Sequence, residues 1–125
     1  MTTSLEDYLE AILILSCEDG AHVSAIATRL NVTKPSVNKA ISELKKMEYV
    51  KQEPYGVVQL TGIGLCHARE ILRRHRLLKE FLMLLNVSEE TAEQDACKME
   101  HLLSRESLDR IAEHCVDIRK IQFED

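Results

Sequence analysis

The chain has 125 residues, enough for one domain or for two small units sharing a core. Hydrophobic residues make up 45% and charged residues 30%, the ordinary balance of a globular protein, and no apolar run approaches the length of a membrane span. A net charge of −5 argues against a generic basic nucleic-acid binder.

The charge is nevertheless uneven. Between Arg29 and Lys51 lie six basic residues (Arg29, Lys34, Lys39, Lys45, Lys46, Lys51) and two acidic ones (Glu43, Glu48). From Asn86 onward there are eleven acidic residues and five basic ones. One region could face phosphate and another could hold cations. Four cysteines (Cys17, Cys66, Cys97, Cys115) are widely spaced with no CxxC, and the N-terminus lacks a signal pattern. The expected compartment is a reducing cytoplasm, with free thiols.

Many Leu, Ile, Ala, Glu and Lys residues with few Gly and Pro predict a mainly α fold. The first helix runs from Ser4 to about Cys17, capped at Thr3 or Ser4, with Leu5, Leu9, Ile12, Leu13 and Cys17 at helical spacing. A second helix covers 23–30. Thr33 caps a third, with Pro35 in its first turn and Val37, Ala40, Ile41 and Leu44 facing inward. Two such helices joined by a few residues have the spacing of a helix-turn-helix. Short β-prone runs at 49–52 and 57–60 flank the turn residues Glu53-Pro54-Tyr55-Gly56. A hairpin in that place makes the unit a winged helix. A long helix follows over 63–85, then a fifth capped by Ser88 and running to about Leu103, then a sixth from Ser104 to about Cys115. The expected division is a winged helix-turn-helix DNA-binding domain over 1–62 and an all-helical metal-binding and dimerisation domain over 63–125.

Cys97, Glu100 and His101 fall at i, i+3 and i+4 of the fifth helix, which would place a thiol, a carboxylate and an imidazole on one face. Each alone reads as an ordinary buried thiol, surface acid or helix-end histidine. Together they match the ligand set of a borderline divalent metal such as Fe²⁺, Co²⁺ or Zn²⁺, and three ligands call for more. Asp7 and Glu10 neighbour one another on the first helix, although acids there commonly serve only the helix dipole. His75 sits in a basic Arg73-Arg74-His75-Arg76 run whose ordinary reading is a solvated face. His67 is a weaker candidate, and His22 and His114 have no local partners.

Thr33, Lys34, Pro35, Ser36, Asn38 and Lys39 are the candidate DNA-facing residues. The lysines would meet phosphate, and Ser36 and Asn38 could touch base edges. No catalytic Ser-His-Asp order, Walker-type glycine loop, dinucleotide glycine motif or His-Glu-x-x-His pattern is present, so no enzyme activity is expected.

Several segments fall in one order: Leu5-Glu6-Asp7-Tyr8-Leu9-Glu10, Thr33-Lys34-Pro35-Ser36-Val37, Leu60-Thr61-Gly62-x-Gly64, Arg74-His75-Arg76-Leu77-Leu78, and Cys97 through Ser104. In these the chain resembles the metal-dependent transcriptional repressors of the diphtheria toxin repressor and manganese transport regulator type. The resemblance covers nearly the whole chain. It implies a homodimer that binds palindromic double-stranded operator DNA when loaded with Fe²⁺ or Mn²⁺ and controls metal-ion uptake. Co²⁺, Ni²⁺, Zn²⁺ or Cd²⁺ would substitute in vitro, and neither a membrane nor a small organic substrate is implied.

Carried over by residue, Asp7 and Glu10 match the carboxylate ligands of the manganese branch, and His75, Glu100 and His101 match ligands of both branches. Cys97 matches the iron branch, where the manganese branch has Glu. Asp7 stands where the iron branch has Met. Lys79 falls where the iron branch supplies a carboxylate to a second site. The chain is thus a hybrid, and in length it resembles the manganese branch. A thiolate in place of a carboxylate favours Fe²⁺ over the harder Mn²⁺. The mechanism implied is a metal that ties the first helix to the fifth and so sets the spacing of two recognition helices near one DNA turn, ~34 Å. Two rival readings are a thiol-based redox-sensing winged-helix regulator without metal, and a small metalloenzyme.

Overall fold

The computed structural model describes residues 4–54 and 56–123, so the alternative cap at Thr3 and the turn residue Tyr55 lie outside the described residues. Six helices and a two-stranded sheet follow in the order α1 (Leu5–Ser16), α2 (Val23–Leu30), α3 (Lys34–Lys46), β1 (Val50–Gln52), β2 (Val58–Leu60), α4 (Gly62–Leu84), α5 (Glu89–Met99), α6 (Arg105–Phe123). The chain divides into two compact units, with the division between Glu70 and Ile71 inside α4.

In the first unit, Ser4 closes a capping box. Its hydroxyl accepts from the Asp7 N–H, and the Asp7 carboxylate accepts from the Ser4 N–H at 3.0 Å. Tyr8, Leu9, Ala11, Ile12 and Leu15 form the buried face of α1. Cys17, expected on that face, is an exposed C-cap, because the helix ends at Ser16. Asn31 adopts the left-handed conformation (φ 54°) and stops α2, and its side chain is of a type that tolerates that region. Thr33 then caps α3 by accepting from the Ser36 N–H at 3.3 Å. Pro35 in the first helical turn loses no hydrogen bond there. Val37, Ala40, Ile41 and Leu44 are buried, as their spacing predicts.

The wing is antiparallel, with Val50 opposite Leu60 and Gln52 opposite Val58. Val50 and Val58 face the core. The Gly56 N–H donates to the Glu53 carbonyl at 2.9 Å and closes the turn, and the Val58 N–H donates to Ala21. Thr61 fixes the base of the wing. Its hydroxyl donates to the Glu48 carbonyl at 2.6 Å and accepts from the Gly64 N–H at 3.1 Å, capping α4. Gly64 has no alternative: a Cβ there would overlap the Tyr49 carbonyl oxygen.

In the second unit, Leu78, Ala96 and Leu108 bring α4, α5 and α6 around one apolar cluster, flanked by Leu77, Met99, Leu103 and Ile111. Ser88 caps α5, and the Ser104 hydroxyl accepts from the Ser107 N–H at 3.1 Å at the start of α6. α5 ends at Met99, four residues before the expected Leu103. The last carbonyls find other donors there. Arg74 Nη1 donates to the Glu100 carbonyl at 3.1 Å, and Leu102 and Leu103 both turn back to the Met99 carbonyl. A guanidinium at a helix C-terminus also meets the negative end of the dipole. α6 continues past Cys115 to Phe123, through a stretch with neither Gly nor Pro to stop it.

Candidate metal centre and nucleic-acid interface

The buried stripe of α4 is Gly64, Ala68, Ile71, His75 and Leu78, four and three residues apart. His75 belongs to this stripe, not to the solvated face that the neighbouring arginines suggest; it is 6% exposed. Its two ring nitrogens have different neighbours. Nδ1 lies 2.9 Å from Glu100 Oε2 and 3.8 Å from Cys97 Sγ. Nε2 lies 2.8 Å from Glu93 Oε1. The Cys97 sulfur and the Glu100 carboxylate push His75 from the usual 6.5 up to about 11, against the effect of burial. In the metal-free chain the ring is therefore an imidazolium that donates at both nitrogens.

Glu100 is the most unusual group in the second unit. It is 1% exposed, and its Oε1 has no hydrogen-bond partner among the described residues. His101 Nε2 lies 3.3 Å from that oxygen, at ion-pair distance without hydrogen-bond geometry. A buried carboxylate oxygen in this state is costly unless a cation meets it. Cys97 is an exposed residue of α5 whose sulfur lies toward His75, Glu100 is the C-cap of that helix, and His101 lies in the turn beyond it. Glu100 keeps the αR conformation and its N–H donates to the Ala96 carbonyl, so Cys97 and Glu100 still follow one helical path. Arg74 holds the turn, and His75 receives Glu100.

Sequence reasoning missed Glu93. It is one turn before Cys97 on α5, and donor atoms of His75, Glu93 and Cys97 lie within 4.8 Å of one another. The signal was the spacing Glu89, Glu93, Cys97, Glu100, a stripe at intervals of four, four and three. Lys79 Nζ lies 3.2 Å from Glu93 Oε2 and 3.3 Å from Glu89 Oε1. Burial pushes the Glu93 carboxyl upward, but Lys79 and His75 outweigh it and hold the group below the usual range. The donors of this unit, a thiol, a buried carboxylate and imidazole nitrogen, suit a borderline divalent ion. The Glu100 oxygen without a hydrogen-bond partner leaves an acceptor that suits such an ion.

Asp7 and Glu10 stand on α1 of the first unit, both partly buried. Asp7 also serves the capping box with Ser4. His67 is exposed and lies against the Tyr49 ring, with centroids 4.7 Å apart, and His22 is the N-cap of α2. At the start of α3, Thr33, Lys34, Pro35, Ser36, Asn38 and Lys39 are all exposed. The Thr33 and Ser36 hydroxyls pair at 2.9 Å. An exposed helix N-terminus with lysines suits a phosphate backbone.

Comparison with known sequences finds two family domains along the chain. The N-terminal DNA-binding domain of the iron-dependent repressors matches residues 1–58, and their metal-binding and dimerisation domain matches 61–120. An HTH-type transcriptional regulator, MntR, of Geobacillus kaustophilus is 43% identical over 113 residues, which are 90% of this chain and 80% of the relative.

The chain belongs to the iron-dependent repressor family.

Within that family, an uncharacterised HTH-type transcriptional regulator of Methanocaldococcus jannaschii is 38% identical over 89% of this chain and 91% of the relative. The solved structure of the manganese regulator SloR matches with a TM-score of 0.82 and 30% identity, over 91% of this chain. This chain spans 54% of the length of that structure. The two sequence relatives are HTH-type transcriptional regulators, and the fold shared with the SloR structure is a winged helix-turn-helix followed by a helical domain. Among the described residues, no helix is long and apolar enough to cross a membrane.

Proposed function

We propose that this chain is a metal-responsive repressor that binds palindromic operator DNA as a homodimer when loaded with Fe²⁺ or Mn²⁺, and so controls metal-ion uptake. The observation that carries the reading is the buried Glu100 carboxylate beside His75 Nδ1 and the Cys97 sulfur. His75, Cys97, Glu100 and His101 would hold the ion from the helical unit. Asp7 and Glu10, on the family resemblance, would complete the ligand set from the DNA-binding unit. The ion, when bound, would supply positive charge to these donors.

The rest follows from the chain's own groups. To hold an ion through Nδ1, His75 would give up the proton at that atom. Arg74 keeps the Glu100 turn in place through the Glu100 carbonyl. Lys34 and Lys39 would set DNA affinity through phosphate, and Ser36 and Asn38 would read base edges. Metal then favours the DNA-competent arrangement by as much as it binds that arrangement more tightly. Exposed Met83, Leu85 and Leu102 leave apolar surface for a second copy.

Names in the family point to both iron and manganese. The thiol of Cys97 favours Fe²⁺. An anaerobic titration of DNA binding against Fe²⁺, Mn²⁺, Zn²⁺ and Co²⁺ tests the reading, with metal content measured on the bound form. The duplex for it is one selected from a random pool by the metal-loaded protein. Fe²⁺ should activate at the lowest concentration; equal binding with every ion and with none would overturn the reading.

A further inference from the structure

Glu93 and Lys79 have no role in the ligand set above, yet they are built into the same cluster. Glu93 uses both carboxylate oxygens: Oε1 lies 2.8 Å from His75 Nε2, and Oε2 lies 3.2 Å from Lys79 Nζ. Lys79 is held in turn by Glu89 at 3.3 Å. Lys79 and Glu93 are both only partly exposed, with side chains 28% and 48% accessible. The other ring nitrogen, Nδ1, faces the Cys97 sulfur and the Glu100 carboxylate.

A neutral imidazole has one N–H and one lone pair. Glu93 at Nε2 and Glu100 at Nδ1 are both anionic acceptors, so once a cation takes the Glu100 carboxylate, Glu93 keeps the remaining proton on Nε2 and the lone pair falls on Nδ1. A lysine on the far oxygen restrains the carboxylate from swinging round to Nδ1. It also supplies at Glu93 and Glu89 the positive charge that another cation would otherwise supply.

We propose that Glu93, anchored by Lys79, is a positioning residue that fixes the tautomer and ring orientation of His75 for metal binding through Nδ1. The inference rests on the ligand role given to His75 above. Glu93 acts through the ring and does not itself contact the ion.

The test uses the full chain and three measurements: anaerobic Co²⁺ affinity and stoichiometry, the thiolate-to-Co²⁺ charge-transfer band, and the ¹⁵N shifts of the His75 ring in Zn²⁺-loaded protein. In the wild type the ring should carry zinc on Nδ1 and a proton on Nε2. Glu93→Ala should weaken Co²⁺ binding by about 10–100-fold, as loss of such outer partners typically does, while stoichiometry and the charge-transfer band stay unchanged. Glu93→Gln, whose amide oxygen accepts the same proton, should recover most of the affinity. Circular dichroism confirms that each variant keeps its helical content.

Wild-type affinity in Glu93→Ala would overturn the inference, as would zinc on Nε2. So would a Glu93→Gln variant as weak as Glu93→Ala with an altered cobalt spectrum, since Glu93 would then be a ligand. Wild-type protein that takes up no Co²⁺ would overturn the metal reading itself, and this inference with it.

Discussion

His75 Nδ1 and Glu100 Oε2 lie 2.9 Å apart, between two side chains that are 8% and 1% exposed. One comes from the buried stripe of α4 and the other from the turn after α5. Removing one member of a buried charge pair typically costs about 3–5 kcal/mol, because the other is left buried alone, while an apolar replacement of both is often neutral. In metal-free protein, His75→Leu should therefore lower unfolding stability by about 3 kcal/mol. The double variant His75→Leu/Glu100→Leu should recover most of that loss. Urea unfolding in the presence of chelator measures both, and a double variant less stable than the single one would contradict the account.

The same pair gives the metal-free chain a defined pH dependence. The folded value of His75, about 11, lies above its usual 6.5, so folding tightens its hold on the proton. Its contribution is complete below pH 6.5 and drains away as pH climbs toward 11. Glu93 is shifted the other way, below its usual 4.5, so its contribution is present above that pH and is lost as pH falls. Thermal melts with chelator should show the highest midpoint between about pH 4.5 and 6.5. The decline on the alkaline side should flatten in His75→Asn.

Cys97 governs metal preference in this account. Its thiolate is a softer donor than the carboxylate found at that place in the manganese branch that the chain resembles. Cys97→Glu should shift activation toward Mn²⁺, read as the ratio of Fe²⁺ to Mn²⁺ needed for half-maximal DNA binding under anaerobic conditions. An unchanged ratio would contradict this role.

Lys34 and Lys39 are exposed at the start of α3. If each neutralises one phosphate, Lys39→Ala should weaken binding about equally on all duplexes and reduce the slope of log affinity against log salt by about 1. Asn38→Ala should instead lose about 1–3 kcal/mol of discrimination at one base position. Fluorescence anisotropy at several salt concentrations separates the two effects.

Much of the fold is legible from local chemistry. Thr33 with Pro35 marks the start of α3, Asn31 the end of α2, and Ser88 and Ser104 the starts of the last two helices. The apolar spacing of Val37, Ala40, Ile41 and Leu44 predicts the buried face of α3. The end of α5 was not legible, because it depends on Arg74, twenty-six residues away, taking the Glu100 carbonyl. His75 was hidden among arginines that suggest a solvated face. Only the spacing from Ile71 to Leu78 places it inward. Glu93 does not stand out in the sequence because exposed acids on helices are common, and its significance comes from His75 and Lys79 on another helix. In the sequence Lys79 stands out only as a departure from the iron branch; in the structure it holds Glu89 and Glu93.

Metal at the Cys97–Glu100–His75 cluster is proposed to control DNA binding. The most direct measurement is the affinity of this chain for one selected duplex at fixed salt, with Fe²⁺ present anaerobically and again after chelation. Tight binding with Fe²⁺ should be lost on chelation and restored by re-addition. Equal affinity in the two states would contradict the proposal.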